Sequence, residues 1–207
     1  KDVNEVNEKR LLEEYDKENA RANQRKYFMR AVLAAEIVNE LKDELSFGRV
    51  KFQKMVYLCE NVAHMNISDE RYKKFAAGPF DNRFMHSINE EFKKQKWFEV
   101  KIIRDRKYSK PQYSELEKKD NYKDYYNKYY SNQDKAIQRV ISLFRTQKTD
   151  FVELIATIFY SWKEILDEKQ NFSNDLIYEK VYSWAREKKR FSLMKLIEQL
   201  NGWKKKN

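Results

Sequence analysis

Residues 74–84 read KFAAGPFDNRF. The chain of 207 residues holds three glycines and two prolines, and one of each stands side by side here, at Gly78-Pro79. Everything around this stretch reads as helix. Glycine opens backbone angles closed to other residues and proline fixes φ, so the pair predicts a rigid corner. Asp81, just beyond, is a good N-cap for a helix from about 82 to 95 that carries Phe84, Met85, Ile88 and Phe92.

Working outward, GRVKFQKMVYLCENVAHM (48–65) has Phe52, Met55, Val56 and Cys59 at i, i+3, i+4 and i+7, with Val50, Tyr57 and Leu58 widening the apolar surface. A helix apolar over most of its girth is a central one. Upstream, residues 3–45 form one helix or two. Apolar residues are sparse at first (Val3, Val6, Leu11, Leu12, Tyr15) and dense from Tyr27 to Leu45. The first part lacks a sustained heptad and reads as an exposed lead-in, a coiled-coil end. Downstream, KWFEVKIIRDRKYSKPQYSEL (96–116) changes period: Phe98, Val100 and Ile102 alternate with Glu99, Lys101 and Ile103. That predicts a β-hairpin over about 97–114, with Pro111 suited to an edge.

Further on, Tyr122, Tyr125, Tyr126, Tyr129 and Tyr130 follow i, i+3, i+4, i+7, i+8 spacing inside KKDNYKDYYNKYY. Tyrosines so spaced pack a ring face inward and leave the hydroxyl wet. The alternative is a platform on which unpaired bases stack. Ala136–Phe144 and Phe151–Leu166 are two more amphipathic helices. NFSNDLIYEKVYSW (171–184) and RFSLMKLIEQLNGW (190–203) match at an offset of 19. Ser173 and Ser192 are the caps there. Phe172 with Ile177 and Phe191 with Leu196 are hydrophobic staples, and Trp184 and Trp203 close the helices. The fold class expected is therefore mainly α, a helical bundle with one small β-hairpin. Three parts are expected: a lead-in over 1–25, a helical core with the hairpin over 26–116, and a C-terminal helical lobe over 117–207.

Composition bounds function. Apolar residues make up 41% and aromatics 15%, so a core can form despite 37% charged residues. No run of 18 apolar residues exists, so no membrane span is expected. The single Cys59 excludes an internal disulfide and suits a cytoplasmic protein. The chain opens without a Met on KDVNEVNEKRLLEEYDKEN and reads as a piece of something longer. The net charge is +10, but 43 bases are mixed with 33 acids along the whole chain, which weakens a DNA-reading role.

No Walker A, G-x-G-x-x-G, H-E-x-x-H or G-x-S-x-G pattern occurs. His64 and His86 read as helix-surface or half-buried residues, and Cys59 as a small core residue, so no metal, cofactor or catalytic group is expected. Glu99-Val100-Lys101 on the predicted strand has the E-x-K form of a Mg²⁺ nuclease. The same pattern recurs at 40–42, 91–93, 117–119 and 187–189, so composition alone generates it. The hairpin cations Arg104, Arg106, Lys107 and Lys110, with Lys123 and Tyr125, are the candidates for gripping phosphates or bases.

Over 46–95 the chain resembles the Panacea antitoxin domain. The residues that carry this are Lys51-Phe52-Gln53-Lys54-Met55-Val56-Tyr57, in the form K-x-Q-K-x-x-Y, followed by Ala76-Ala77-Gly78-Pro79-Phe80. Ala76 and Ala77 stand where that family has an aromatic residue. The resemblance implies that Gly78-Pro79 starts the next helix at a fixed angle and that Lys51, Gln53 and Tyr57 hold the corner by hydrogen bonds. ELIATIFYSWKEIL (153–166) and the staple repeat resemble, more loosely, C-terminal segments of bacterial restriction-modification proteins, notably type I specificity subunits. Together these imply a defence-associated accessory domain without chemistry of its own. It would dock a protein partner, a restriction subunit or a toxin. The alternative is a specificity-subunit-like domain gripping DNA through the basic hairpin. A dimer is left open.

Overall fold

The computed structural model describes residues 3–65, 72–75, 78–104, 109–171, 173–187, 194, 195, 197 and 198. The architecture is mainly helical. Among the described residues seven bounded α-helices run in chain order: α1 (Val3–Leu41), α2 (Arg49–Val62), α3 (Asn82–Gln95), α4 (Tyr122–Tyr130), α5 (Asp134–Phe144), α6 (Thr149–Asp167) and α7 (Asn174–Glu187). Two antiparallel strand pairs interrupt them: β1 (Lys73–Phe75) with β2 (Gly78–Phe80), and β3 (Phe98–Arg104) with β4 (Ser109–Glu115). The second pair is the expected hairpin; its register sets Phe98 opposite Glu115 and Ile102 opposite Pro111. In a two-stranded ribbon both strands are edges, which is why Pro111 is tolerated. The short β1–β2 pair was not expected. It is three residues per strand, too short for a period-2 pattern to register.

Helix α2 is central. Every residue from Lys51 to Glu60 is buried, including two lysines, a glutamine and a glutamate. One buried cluster surrounds it, built from Ala31–Leu41 of α1, Phe84, Ile88 and Phe92 of α3, Trp97 and Phe98, the tyrosines of α4, Ile137 and Ile141 of α5, and Val152 and Ala156 of α6. This cluster draws on residues on both sides of position 116. A smaller one joins Leu154 of α6 to Val181 and Ala185 of α7 and to Ile197. Ser173 caps α7, its Oγ accepting from Leu176 N at 3.1 Å. Phe172, Phe191, Ser192, Leu196 and Trp203, the other parts of the expected staple repeat, lie outside the described residues.

The lead-in and the first packed helix are one continuous helix. Residues 14–25 are exposed, and burial begins at Lys26. The tyrosine stripe of α4 does pack, with Tyr122, Tyr126 and Tyr130 buried. Their hydroxyls are not wet, contrary to expectation. Tyr122 donates to Glu36 Oε2 (2.7 Å), Tyr126 to Asp134 Oδ1 (2.9 Å) and Tyr130 to the Met29 carbonyl (2.8 Å). Acceptors on α1 and α5 replace the water, as a buried hydroxyl requires. No helix among the described residues is long and apolar enough to cross a membrane.

The corner is as tight as its two residues imply. Gly78 has φ +84, and a Cβ there would lie 2.9 Å from Thr157 Oγ1 and 3.3 Å from Lys54 Cε. Gly78→Ala should therefore lower the free energy of unfolding by about 2 kcal/mol. Gly48→Ala, at an ordinary φ of −107 with nothing within 4 Å, should change it by less than about 1 kcal/mol. Urea titration of the two variants beside the parent checks both.

Candidate functional site

The polar groups most capable of chemistry converge behind the Gly78-Pro79 corner. Arg30 sits on the inward face of α1 beside Leu33, Ala34 and Ile37, all buried. Its Nε donates to Glu60 Oε1 at 2.6 Å and its Nη2 to Glu60 Oε2 at 3.3 Å. Its Nη1 donates to Asp81 Oδ2 at 2.7 Å. Tyr72 closes the set: its hydroxyl donates to Glu60 Oε2 and accepts from Arg30 Nη2 at 3.3 Å. Asp81 is shared. Its Oδ1 accepts from Phe84 N at 3.1 Å, the expected N-cap, while the other oxygen holds the guanidinium. The Arg30 guanidinium also lies 4.0 Å from the centre of the Phe84 ring. All four residues are buried, from 1% exposed at Arg30 to 4% at Tyr72 and Asp81.

A guanidinium suits this place because its planar fork serves two carboxylates at once and stays charged. Burial opposes the charge on Arg30, but the Glu60 charge, the Tyr72 hydroxyl and the hydrogen bonds to Glu60 and Asp81 together outweigh it, and the group is held cationic. Burial pushes the Glu60 carboxyl up from its ordinary range, against the pull of Arg30 and the Tyr72 hydroxyl. Burial and the Glu60 charge push the Tyr72 phenol well up. Chemically the set keeps the proton on the Tyr72 hydroxyl, which donates it to the Glu60 carboxylate. The clefts at the root of α1 and along α6 are lined by other residues.

The residues singled out by sequence divide between two turns. Lys54 reaches the corner: its Nζ donates to the Pro79 carbonyl at 2.7 Å. Lys51 does not, contrary to what the resemblance implied. Its Nζ donates to Ser46 Oγ and to the Arg145 and Gln147 carbonyls, at 2.7–2.8 Å. Those carbonyls belong to the turn that ends α5, where helical C=O groups have lost their own partners and favour a cation. Burial pushes the Lys51 ammonium down from its ordinary range. Gln53 is buried. The Tyr57 ring packs on Tyr72 at 4.7 Å between centroids and on Phe159 at 6.1 Å.

The nucleic-acid candidates are dispersed. Arg104 is exposed at the far end of β3. Arg106 and Lys107 lie outside the described residues. Lys110 is turned back onto the molecule, donating to the Glu44 and Leu45 carbonyls at 3.3 and 3.2 Å. Lys123 and Tyr125 are exposed on α4, near the base of the hairpin, where Phe98 meets Tyr122. The seven residues from Phe98 to Arg104 span about 20 Å of strand. Glu99 and Lys101 pair with each other at 3.3 Å on the surface. His64 and His86 are exposed and Cys59 is buried, its thiol pushed up by burial. Among the described residues no group of three His, Cys, Asp or Glu is placed to hold a metal.

Sequence reasoning missed Arg30, Glu60 and Tyr72. Two of them carry a signal in retrospect. Arg30 interrupts the apolar run that starts at Tyr27, and Glu60 follows Val56 by four and Tyr57 by three on the face of α2 read as buried. A charge on each of two buried faces asks for a partner. Tyr72 carries none, since its place depends on how the chain returns to the core. No protein-family model matches the chain, and no curated protein matches it.

Replacing Arg30 with Met leaves two buried carboxylates without their cation and should cost about 3–5 kcal/mol. Tyr72→Phe keeps the ring and removes one donor, and should cost about 1–2 kcal/mol. Denaturant titration of both ranks them. Glu60 also predicts a pH dependence. With its folded pKa raised, the unfolded chain loses this proton first as pH climbs through the ordinary glutamate range. Stability should fall with rising pH there and flatten once folded Glu60 ionises too. Glu60→Gln should remove that part of the slope in unfolding measured from pH 4 upward.

Proposed function

We propose that this chain is a non-catalytic accessory domain of a bacterial defence system, of the restriction-modification or toxin–antitoxin kind, that docks a protein partner. The observation that carries the reading is the hairpin. Its base is anchored by buried Phe98, but from Lys101 onward β3 is exposed. Ile102 and Ile103, 53% and 51% exposed, are adjacent on the strand and therefore face opposite sides of the ribbon. An arm showing isoleucine on both faces suits a protein groove better than a phosphate backbone. Two further observations support the reading. The two motif halves that carry the Panacea resemblance are joined by the Lys54–Pro79 bond. The titratable groups Arg30, Glu60, Tyr72 and Asp81 are spent on one another inside the core.

The second reading, DNA binding, is favoured by exposed Arg104 on the same arm and exposed Lys123 on α4. The two readings part on adjacent residues. Co-expressed with the products of its neighbouring genes, the chain should co-elute with one of them. Ile102→Glu with Ile103→Glu should weaken that complex about tenfold or more, and Arg104→Ala should leave it unchanged. DNA binding that falls steeply with salt in fluorescence anisotropy, and loses slope in Arg104→Ala with Lys123→Ala, would put the second reading in its place.

A further inference from the structure

Helix α1 continues about 33 Å beyond the body, from the region of Gln24 out to Val3. A helix with no apolar face against a core has little to hold it in water except its own propensity. This one still carries a thin seam. Tyr15 and Ala22 continue, at a spacing of seven, the line of Met29 and Leu33 by which α1 packs on the body. Tyr15 is 64% exposed on that line.

The charges on the same helix are segregated along its length. From Glu5 to Glu18 there are six acids and three bases. From Asn19 to Arg30 there are four bases and no acid, and only Arg30 among those bases is buried. At the root, a cleft between α1 and α3 is lined by Arg21, Gln24, Arg25, Phe28, Lys94 and Gln95, with Glu91 the one acid. The protein thus displays an acidic outer stretch and a basic root on one helix.

We infer that two copies of this chain associate through an antiparallel pairing of their α1 helices, the acidic tip of each lying against the basic root of the other. Antiparallel order sets opposite charges together at both ends, with Tyr15 near the two-fold axis. Parallel order would set tip on tip and root on root, like charges on like, which disfavours it. The occupant is a second copy because the tip already has the charge that the root lacks. This pairing is independent of what the hairpin docks.

Sedimentation of the full 207-residue chain tests it. The parent should be a dimer at low salt and dissociate as salt rises from about 50 mM to about 500 mM, because the facing charges are near the surface. Arg21→Glu with Arg25→Glu, and separately Glu5→Lys with Glu8→Lys, should each weaken self-association about tenfold or more. All these positions precede the packed part of α1, so near-ultraviolet circular dichroism should show an unchanged core. Mixed together, the two variants should form a heterodimer, since each now offers what the other lacks. A parent that stays monomeric up to about 100 μM overturns the inference, as do charge-reversed variants that dimerise like the parent or fail to pair on mixing. A monomeric parent that binds single-stranded DNA through Arg21 and Arg25 would overturn it in favour of a nucleic-acid surface at the root.

Discussion

A guanidinium buried between two carboxylates is the interaction on which the rest of this structure depends. Arg30 comes from α1, Glu60 from α2, Tyr72 from the approach to β1, and Asp81 from the cap of α3. Each was taken out of water, at a cost of several kcal/mol per charge, and the cost is offset only when every donor meets its acceptor. None of the four elements can shift alone. Asp81 makes the dependence sharpest, because one carboxylate both starts α3 and holds Arg30.

The same logic extends through the two lysines of α2. Lys54 and Lys51 stand three residues apart on a helix with no exposed residue between Lys51 and Glu60. One ammonium goes to the Pro79 carbonyl and the other to the carbonyls after α5. The central helix therefore fixes two distant turns with point charges whose long stems are packed in the core. The two lysines of this motif are spent on architecture. What remains outward is the exposed half of the hairpin and the unpacked half of α1.

These two projections share a physical character. Each is anchored at its base by aromatic packing and loses its apolar support further out. Phe98 meets Phe92 at the base of the hairpin, and Tyr27 meets Phe84 at the root of α1.

Periodicity and punctuation were enough to find the helices, the hairpin and the Asp81 cap. Each depends on local spacing or on one residue's backbone preference, and the three glycines and two prolines left few places for turns. The burial of α2 and of the tyrosine stripe was legible for the same reason. The clasp around Arg30 was not, because its hydrogen-bonded pairs are 12 to 51 residues apart and no local pattern joins them. Lys51 and Lys54 show the limit most plainly. Both belong to one motif on one helix, and the sequence determined that this helix is central but not which way either lysine faces. Which turn each would reach was decided only when α5, α6 and β2 had packed against α2, since a lysine's long stem takes its direction from where unsatisfied carbonyls are left.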